Sequence, residues 1–272
     1  MKHLTKTVLV ILLLGCITLG AASSCNKKDS ANKVATTSDS IKMKNEAGEV
    51  SMKFEFPTDS TSALSTTINE YLSEQMGGTY DSTYNNVRTL VSFYLNNILA
   101  KNKEEKNNLK AEMLKSGDKT AISWQYSYDG SFEKIADTTR YITYLYSFYE
   151  YQGGAHGSSV ATGQTFRKAD SRRIGWDVFT NTYEEDFQRL IKDGLKTYWK
   201  LKTDEELKGY LLDENNFYQM PLPQCPPLFT KDGVRFIYGQ YEIAPYAAGK
   251  PDFTVPYKKL EKYMKMTAKK LL

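Results

Sequence analysis

The chain has 272 residues, 40% hydrophobic and 25% charged, which fits one large globular domain or two closely packed smaller ones and excludes a disordered or fibrous chain. Its 36 basic and 32 acidic residues give +4, and removal of residues 1–24, with Lys2 and Lys6, leaves 34 against 32, or +2. So small a charge gives nucleic-acid binding no electrostatic support.

Read in chain order, Lys2 and Lys6 precede the apolar run Val8 to Gly20, and the small residues "AASS" then lead to Cys25, so that the first 24 residues resemble a bacterial lipoprotein signal. The apolar run is too short to span a bilayer, which takes about 20 residues. "LLGC" at Leu13 to Cys16 also carries lipobox letters, but cleavage there would leave an unusually short apolar segment, so Cys25 is the expected lipidation site. Asn26 to Glu49 is polar, without aromatic residues or periodicity, and is expected to be a flexible tether over 25–49. "CNKKDS" is similar to mature lipoprotein ends of Bacteroidetes-type bacteria. The expected address is the bacterial envelope, with the outer membrane facing the periplasm or cell surface.

Val50, Met52, Phe54 and Phe56 alternate as a strand that Pro57 halts. Leu64, Ile68, Tyr71, Leu72 and Met76 recur at helical spacing up to the stop Gly77–Gly78. A second helix is read from Tyr84, Val87, Val91, Leu95 and Ile98, and "KNKEEKNNLK" extends or follows it as a solvated face. From Ala121 the period becomes two. "AISWQYSYDG" reads as a strand entering a turn at Asp129–Gly130, and Thr139 to Tyr151 as a longer strand. On it Tyr141, Thr143, Leu145, Ser147, Tyr149 and Tyr151 share one face, and Ile142, Tyr144, Tyr146 and Phe148 the other. A further pair of strands should turn near Ala169 to Ser171.

Thr182 is a candidate cap for a helix whose stripe is Phe187, Leu190, Ile191, Leu195, Tyr198 and Trp199. Thr203 and Glu206 fit a capping box. "MPLPQCPPLF" reads as an ordered loop, Asp232–Gly233 as a hairpin turn, Ala244 to Gly249 as a bend. The last 16 residues read as one helix with Leu260, Tyr263, Met264 and Leu271 inward; its lysines satisfy the helix dipole. The order of elements indicates α+β, an antiparallel sheet packed with helices in two closely associated subdomains, 50–150 and 151–272.

Chemistry-bearing residues are few. Beyond His3, the chain has only His156, and beyond Cys16 and Cys25 only Cys225, so a typical zinc site lacks ligands and Cys225 lacks an intrachain disulfide partner. Cys225 reads as a buried, inert thiol. Ser158 and Ser159 lie too close to His156 for a serine triad, and no GxSxG or phosphate loop occurs. No metal or other cofactor is expected. Gly153 and Gly154 give the backbone a tight corner, and His156 beside them is expected to hold it through hydrogen bonds to backbone. The rows of tyrosines read as cross-strand packing, or, where a row is exposed, as a platform for sugar or protein.

"YEYQGGAHGSSVATGQTF" with "GVRFIYGQYEIAPYAAGKPDFTVPYKKL" resembles the extracytoplasmic domain-of-unknown-function family 3298, over roughly Tyr149 to Leu260. The preceding region, Val50 to Glu150, resembles family 4163. Gly153, Gly154, Ala155 and His156 match the first family's turn motif; Tyr241, Glu242, Ala244, Pro245, Tyr246 and Gly249 match its later block. The family occurs in RsiV-type lysozyme-sensing anti-sigma factors, beside the catalytic domain of PdaC-type deacetylases, and in anchored lipoproteins. The resemblance implies an α+β fold, an envelope setting and, in one branch, recognition of lysozyme. The transmembrane helix and sigma-binding segment of the RsiV type, and the deacetylase domain of the PdaC type, have no counterpart here. The expected role is that of a non-catalytic, lipid-anchored protein recognising a lysozyme-like protein or a cell-wall glycan. An envelope glycan hydrolase using a carboxylate pair and a purely structural lipoprotein are the alternatives.

Overall fold

The structure is a computed structural model that describes residues 33–78, 86–117 and 124–272. The lipidation candidate Cys25 lies outside the described residues. Two sheets organise the molecule. A six-stranded sheet runs in chain order from β1 (Thr36–Lys44) through β2 (Gly48–Pro57), β3 (Tyr126–Asp137), β4 (Tyr141–Tyr151) and β5 (Ser158–Arg167) to β6 (Arg173–Ile174). A three-stranded sheet contains β7 (Leu228–Phe229), β8 (Val234–Ile237) and β9 (Asp252–Val255). All strand pairs are antiparallel except β2 with β3, whose parallel pairing requires the crossover made by α1 (Ala63–Gln75) and α2 (Val87–Lys115). The α+β class therefore holds, with one parallel pair in the larger sheet.

Each crossover helix starts on a polar cap. Ser62 Oγ accepts from Ser65 N–H at 3.2 Å, and Asn86 Oδ1 from Thr89 N–H at 3.2 Å. Ile68, Tyr71 and Leu72 of α1 and Leu90, Val91 and Leu95 of α2 bury their stripes against Val50, Met52 and Phe54 of β2. The charged "KNKEEKNNLK" run lies inside α2, in its largely exposed second half.

A second core lies on the other face of the sheet. The remaining helices are α3 (Glu185–Trp199), α4 (Asp204–Tyr210), α5 (Tyr257–Leu260) and α6 (Met266–Lys269). Phe187, Ile191 and Leu195 of α3 meet the small sheet and the C-terminal turns there, each stabilising the fold by about 1.5–3 kcal/mol. Both faces of β4 are covered in its first half: Ile142, Tyr144 and Tyr146 join the first core, and Tyr141 the second. The sheets are stitched together by hydroxyls, with Thr143 Oγ1 donating to Phe229 O at 2.7 Å and Phe229 N–H to Thr165 Oγ1 at 2.9 Å.

Several expectations are corrected. Part of the expected tether, Thr36–Lys44, is the edge strand β1, registered along β2 from Thr36–Pro57 to Lys44–Glu49. Its polar residues face water on an edge, where low hydrophobicity protects against aggregation. A boundary at 150/151 would fall within β4 and part it from its partner β5; Phe166, beyond it, belongs to the first core. Asp129–Gly130 sits within β3, not at a turn. The Tyr128 ring lies over Gly130, and a Cβ there would be 3.0 Å from that ring, so the glycine serves packing. The turn comes at Thr138, whose hydroxyl accepts from Arg140 and Tyr141 N–H.

Thr182 does not cap α3. The N-cap is Glu184, and Thr182 O instead accepts from buried Gln188 Nε2 at 3.0 Å. The C-terminal segment is broken, not one helix. Thr180 N–H donates to Tyr263 O and Lys265 N–H to Val178 O, which draws Met264 into an extended bridge with Phe179 between α5 and α6. Leu260, Tyr263, Met264 and Leu271 are all buried as expected. The capping box of α4 forms as read, and Thr230–Gly233 makes the β7–β8 turn. No helix among the described residues is long and apolar enough to cross a membrane.

Candidate functional site

The two segments singled out in the sequence, 89 and 90 positions apart in these contacts, meet in space. His156 stacks on Tyr246 with ring centroids 4.0 Å apart and planes inclined by 26°. Both reach the same backbone oxygen: Tyr246 Oη donates to Gly157 O at 3.1 Å, and His156 Nδ1 lies 3.2 Å from it. The backbone contact and the stack together tie the turn to the later segment.

The corner depends on its glycines. Gly153 has φ +100° and Gly154 φ +88°, conformations that L side chains rarely adopt. A Cβ on Gly153 would also come within 2.6 Å of Trp124 Nε1. Ala155 is an exposed residue of the same turn, and Tyr151 Oη donates to Gly154 O at 2.9 Å. In the later block, Tyr241 holds φ +63° and is exposed, Pro245 precedes the single turn Tyr246–Ala248, and Gly249 at φ +78° ends it. Glu242 is the clamp of this block. Its Oε1 accepts from Gln224 N–H at 2.7 Å and its Oε2 from Gly239 N–H at 2.5 Å, so both oxygens are committed to holding loops.

Between these segments lies a cleft of about 740 Å³. One wall is β5 from Ser158 to Gln164; the opposite wall is the Gln224–Pro226 loop with Gly239 to Glu242. Gly154, Ala155, Pro245 and Gly249 support the segments without lining it. Sequence reading missed the third wall. Glu74 near the end of α1 makes a two-pronged ion pair with Arg173 of β6, at 2.6 and 3.0 Å, and Arg173 lies over the Tyr71 ring. Nothing local in the sequence marks these residues, because the crossover alone carries α1 to the far side of β5.

Tyr71 and Cys225 line the cleft as buried groups. The Tyr71 hydroxyl sits beside Thr162 yet has no hydrogen-bond partner among the described residues, and burial drives its ionisation well above the usual phenol range. Burial likewise pushes the Cys225 thiol up to about 11, so it is protonated at neutral pH and a poor nucleophile. Among the described residues no three His, Cys, Asp or Glu side chains cluster to hold a metal ion. The site offers hydrogen bonding, charge and aromatic surface: the means to hold a ligand.

Residues 176–258 match the family model described as "Protein of unknown function (DUF3298)". The match includes the Tyr241–Gly249 block and begins after the Gly153–His156 turn, so it is shorter than the resemblance over Tyr149 to Leu260. No curated protein matches the chain. A crystal structure of a DUF3298-family member from Bacteroides fragilis superposes with a TM-score of 0.68 at 22% identity, covering 86% of this chain and 95% of that one. One from Pseudomonas aeruginosa gives 0.55 at 16% identity, with the same 86% and 95% coverage. These likenesses establish the fold as that of DUF3298-family structures.

Proposed function

We propose that this protein is a lipid-anchored component of the bacterial envelope that recognises an extracytoplasmic ligand in the β5 cleft without transforming it. The observation that carries the reading is the convergence of the Gly153–His156 turn and the Tyr241–Gly249 block on one cleft, braced by the His156–Tyr246 stack. Two segments far apart in the chain thus shape a single hollow. Its size falls within the range of about 300–1,000 Å³ usual for ligand sites.

The carboxylates there are engaged in ways that suit binding. Glu242 holds two backbone N–H groups, Glu74 is paired with Arg173, and Glu150 accepts from Gln152 Nε2 at 3.1 Å. A glycoside hydrolase requires one carboxyl free to give a proton and a second free to attack or to activate water. This favours recognition over hydrolysis.

The tether supports the same reading through geometry. The described chain begins beside Asp137, whose Oδ2 accepts from Val34 N–H at 3.1 Å. Asp137 pairs with Ile142, at one end of β4, while Tyr151, Gln152 and the Gly153 turn lie at the other. Ten residue steps of about 3.4 Å separate these ends by about 34 Å. In a chain moored through Cys25 the Gly153 end of the cleft thus lies about that far from the entry of the tether, open to a lysozyme-like protein or cell-wall glycan, while its Arg173 end lies level with Asp137.

The test has two arms. Metabolic labelling with palmitate is expected to mark the native protein and to fail on Cys25→Ala; absence of label refutes the anchor. Retention of the protein on immobilised lysozyme or on peptidoglycan fragments, without turnover of either, supports recognition. Retention on neither, or turnover of a wall fragment, refutes it.

A further inference from the structure

The wall of the cleft formed by β5 is an unfinished sheet edge. β6 pairs with β5 only at Thr165 and Phe166. Toward the cleft, no strand among the described residues lies on that side of Ser158 to Gly163. The direction of the backbone groups follows from two bonds. Ser159 N–H leaves the sheet for Gln240 Oε1 at 3.2 Å, and Arg167 N–H leaves it for Arg172 O at 2.8 Å. Since N–H and C=O alternate sides along an antiparallel strand, the odd-numbered residues of β5 face outward. Ala161 is therefore turned out into the cleft, between Ser159 and Gly163.

The neighbours of Ala161 show what the edge accepts. The Gln240 side-chain amide puts a carbonyl oxygen on Ser159 N–H, where the carbonyl of an added strand would sit. From Gly163 to Phe166 the strand is buried. Ala161 lies between the Gln240 stand-in and that covered stretch, and residues 158 to 162 are exposed or half-buried. Along the same stretch the side chains of Val160 and Thr162 face the α1 side, where Tyr71 keeps its unpaired, buried hydroxyl.

Charge restricts the occupant further. The cleft is lined by Glu74, Glu150 and Glu242 against Arg173, a formal balance of −2 among these four. A ligand that completes the edge must bring a backbone, which a glycan lacks, and one that suits the charge must be basic. We infer that the cleft binds an extended, positively charged segment of a protein, added as a strand beside β5 with Ala161 at its centre. This rests on the recognition function proposed above and commits it to a protein ligand. The added strand would use Ala161 N–H and C=O, displace Gln240 from Ser159, and offer side chains alternately to Tyr71 and to the Gln224–Pro226 loop.

The test uses the full chain and a phage-displayed library of random peptides. Selected peptides should be rich in Lys or Arg, and their affinity should fall by about tenfold or more on N-methylation at alternate residues but not at the intervening ones. Ala161→Pro, which removes an N–H that makes no bond within the sheet, should weaken binding by a similar factor, while Ala161→Val should retain it. Peptide binding insensitive to both changes overturns the inference. So does failure to select any peptide, or a concentration-dependent dimer that Ala161→Pro abolishes, which would assign the edge to a second copy. If peptides pair with β5 while neither lysozyme nor wall fragments bind, the strand-addition site stands and the envelope ligand was chosen wrongly. Lysozyme binding that Ala161→Pro leaves intact would instead uphold recognition and overturn strand addition.

Discussion

His156 and Tyr246 lie face to face at 4.0 Å and share the carbonyl oxygen of Gly157, so the only histidine in the described residues is a tie between two distant segments. An aromatic pair of this kind contributes about 0.5–1.5 kcal/mol beyond its buried area. His156→Ala is expected to lower Tm by about 2–4 °C. Its effect on ligand affinity should be smaller, since the ring is braced against protein. Calorimetry of the variant with and without ligand checks this; an unchanged Tm with lost affinity would make His156 a ligand contact.

The two glycines of the turn separate conformational strain from crowding. Gly154 has positive φ and open space, so Gly154→Ala should cost about 1–2 kcal/mol. Gly153 has positive φ and the Trp124 indole 2.6 Å from where a Cβ would lie, so Gly153→Ala adds overpacking of about 1–3 kcal/mol. Denaturant midpoints should therefore rank wild type above Gly154→Ala above Gly153→Ala. Equal midpoints for the two variants would show that the indole yields without cost.

Acid should loosen the corner where the tether enters. Burial alone would raise the Glu55 carboxyl, but hydrogen bonds from Thr36 and Lys134 and the Lys134 charge outweigh it and hold the group below its ordinary value of 4.5. A carboxyl lowered by folding contributes stability that is complete above about pH 4.5 and is lost as pH falls through the lowered value. Glu55→Gln should make stability less dependent on pH in that window, measured by denaturant unfolding at successive pH values. An unchanged slope would show that Glu55 is not coupled to folding.

Alkali should act through the buried phenols. Burial pushes Tyr128 up to about 12 from an ordinary 10.0, and Tyr144, Tyr146 and Tyr238 further. A phenol raised by folding contributes stability that is complete below pH 10 and is lost as pH rises toward its folded value. Tyrosinate absorbance should rise in step with loss of circular dichroism as these phenols are released. Ionisation of Tyr128 while the sheet is intact, resolved by comparison with Tyr128→Phe, would contradict its burial.

The sequence carried the first part of this organisation well. Period-two runs marked β2 and β4, helical stripes marked α1 and α3, and Thr203 with Glu206 marked the start of α4, because in each the burial pattern repeats locally. Thr36–Lys44 reads as tether since an edge strand needs no apolar face of its own; its backbone partners on β2 supply the order. Asp129–Gly130 resembles a turn because the Tyr128 ring that fills the space over Gly130 is a tertiary contact. At the site, the Gly153–His156 turn and the Tyr241–Gly249 block are visible as motifs, but their meeting is not. Tyr71 is legible only as part of the α1 stripe, and Glu74, Arg173 and the open β5 edge give no local signal, for their role exists only once the crossover and the short β6 have been built.

If the cleft beside β5 is where a ligand is held, hydrogen–deuterium exchange of the full chain, alone and saturated with lysozyme, will reveal it. Exchange should slow at residues 152–163 and 239–246, with the amide of Ala161 protected most. Protection confined to other surfaces, with these two segments unchanged in the complex, would place the ligand elsewhere and refute the cleft as its site.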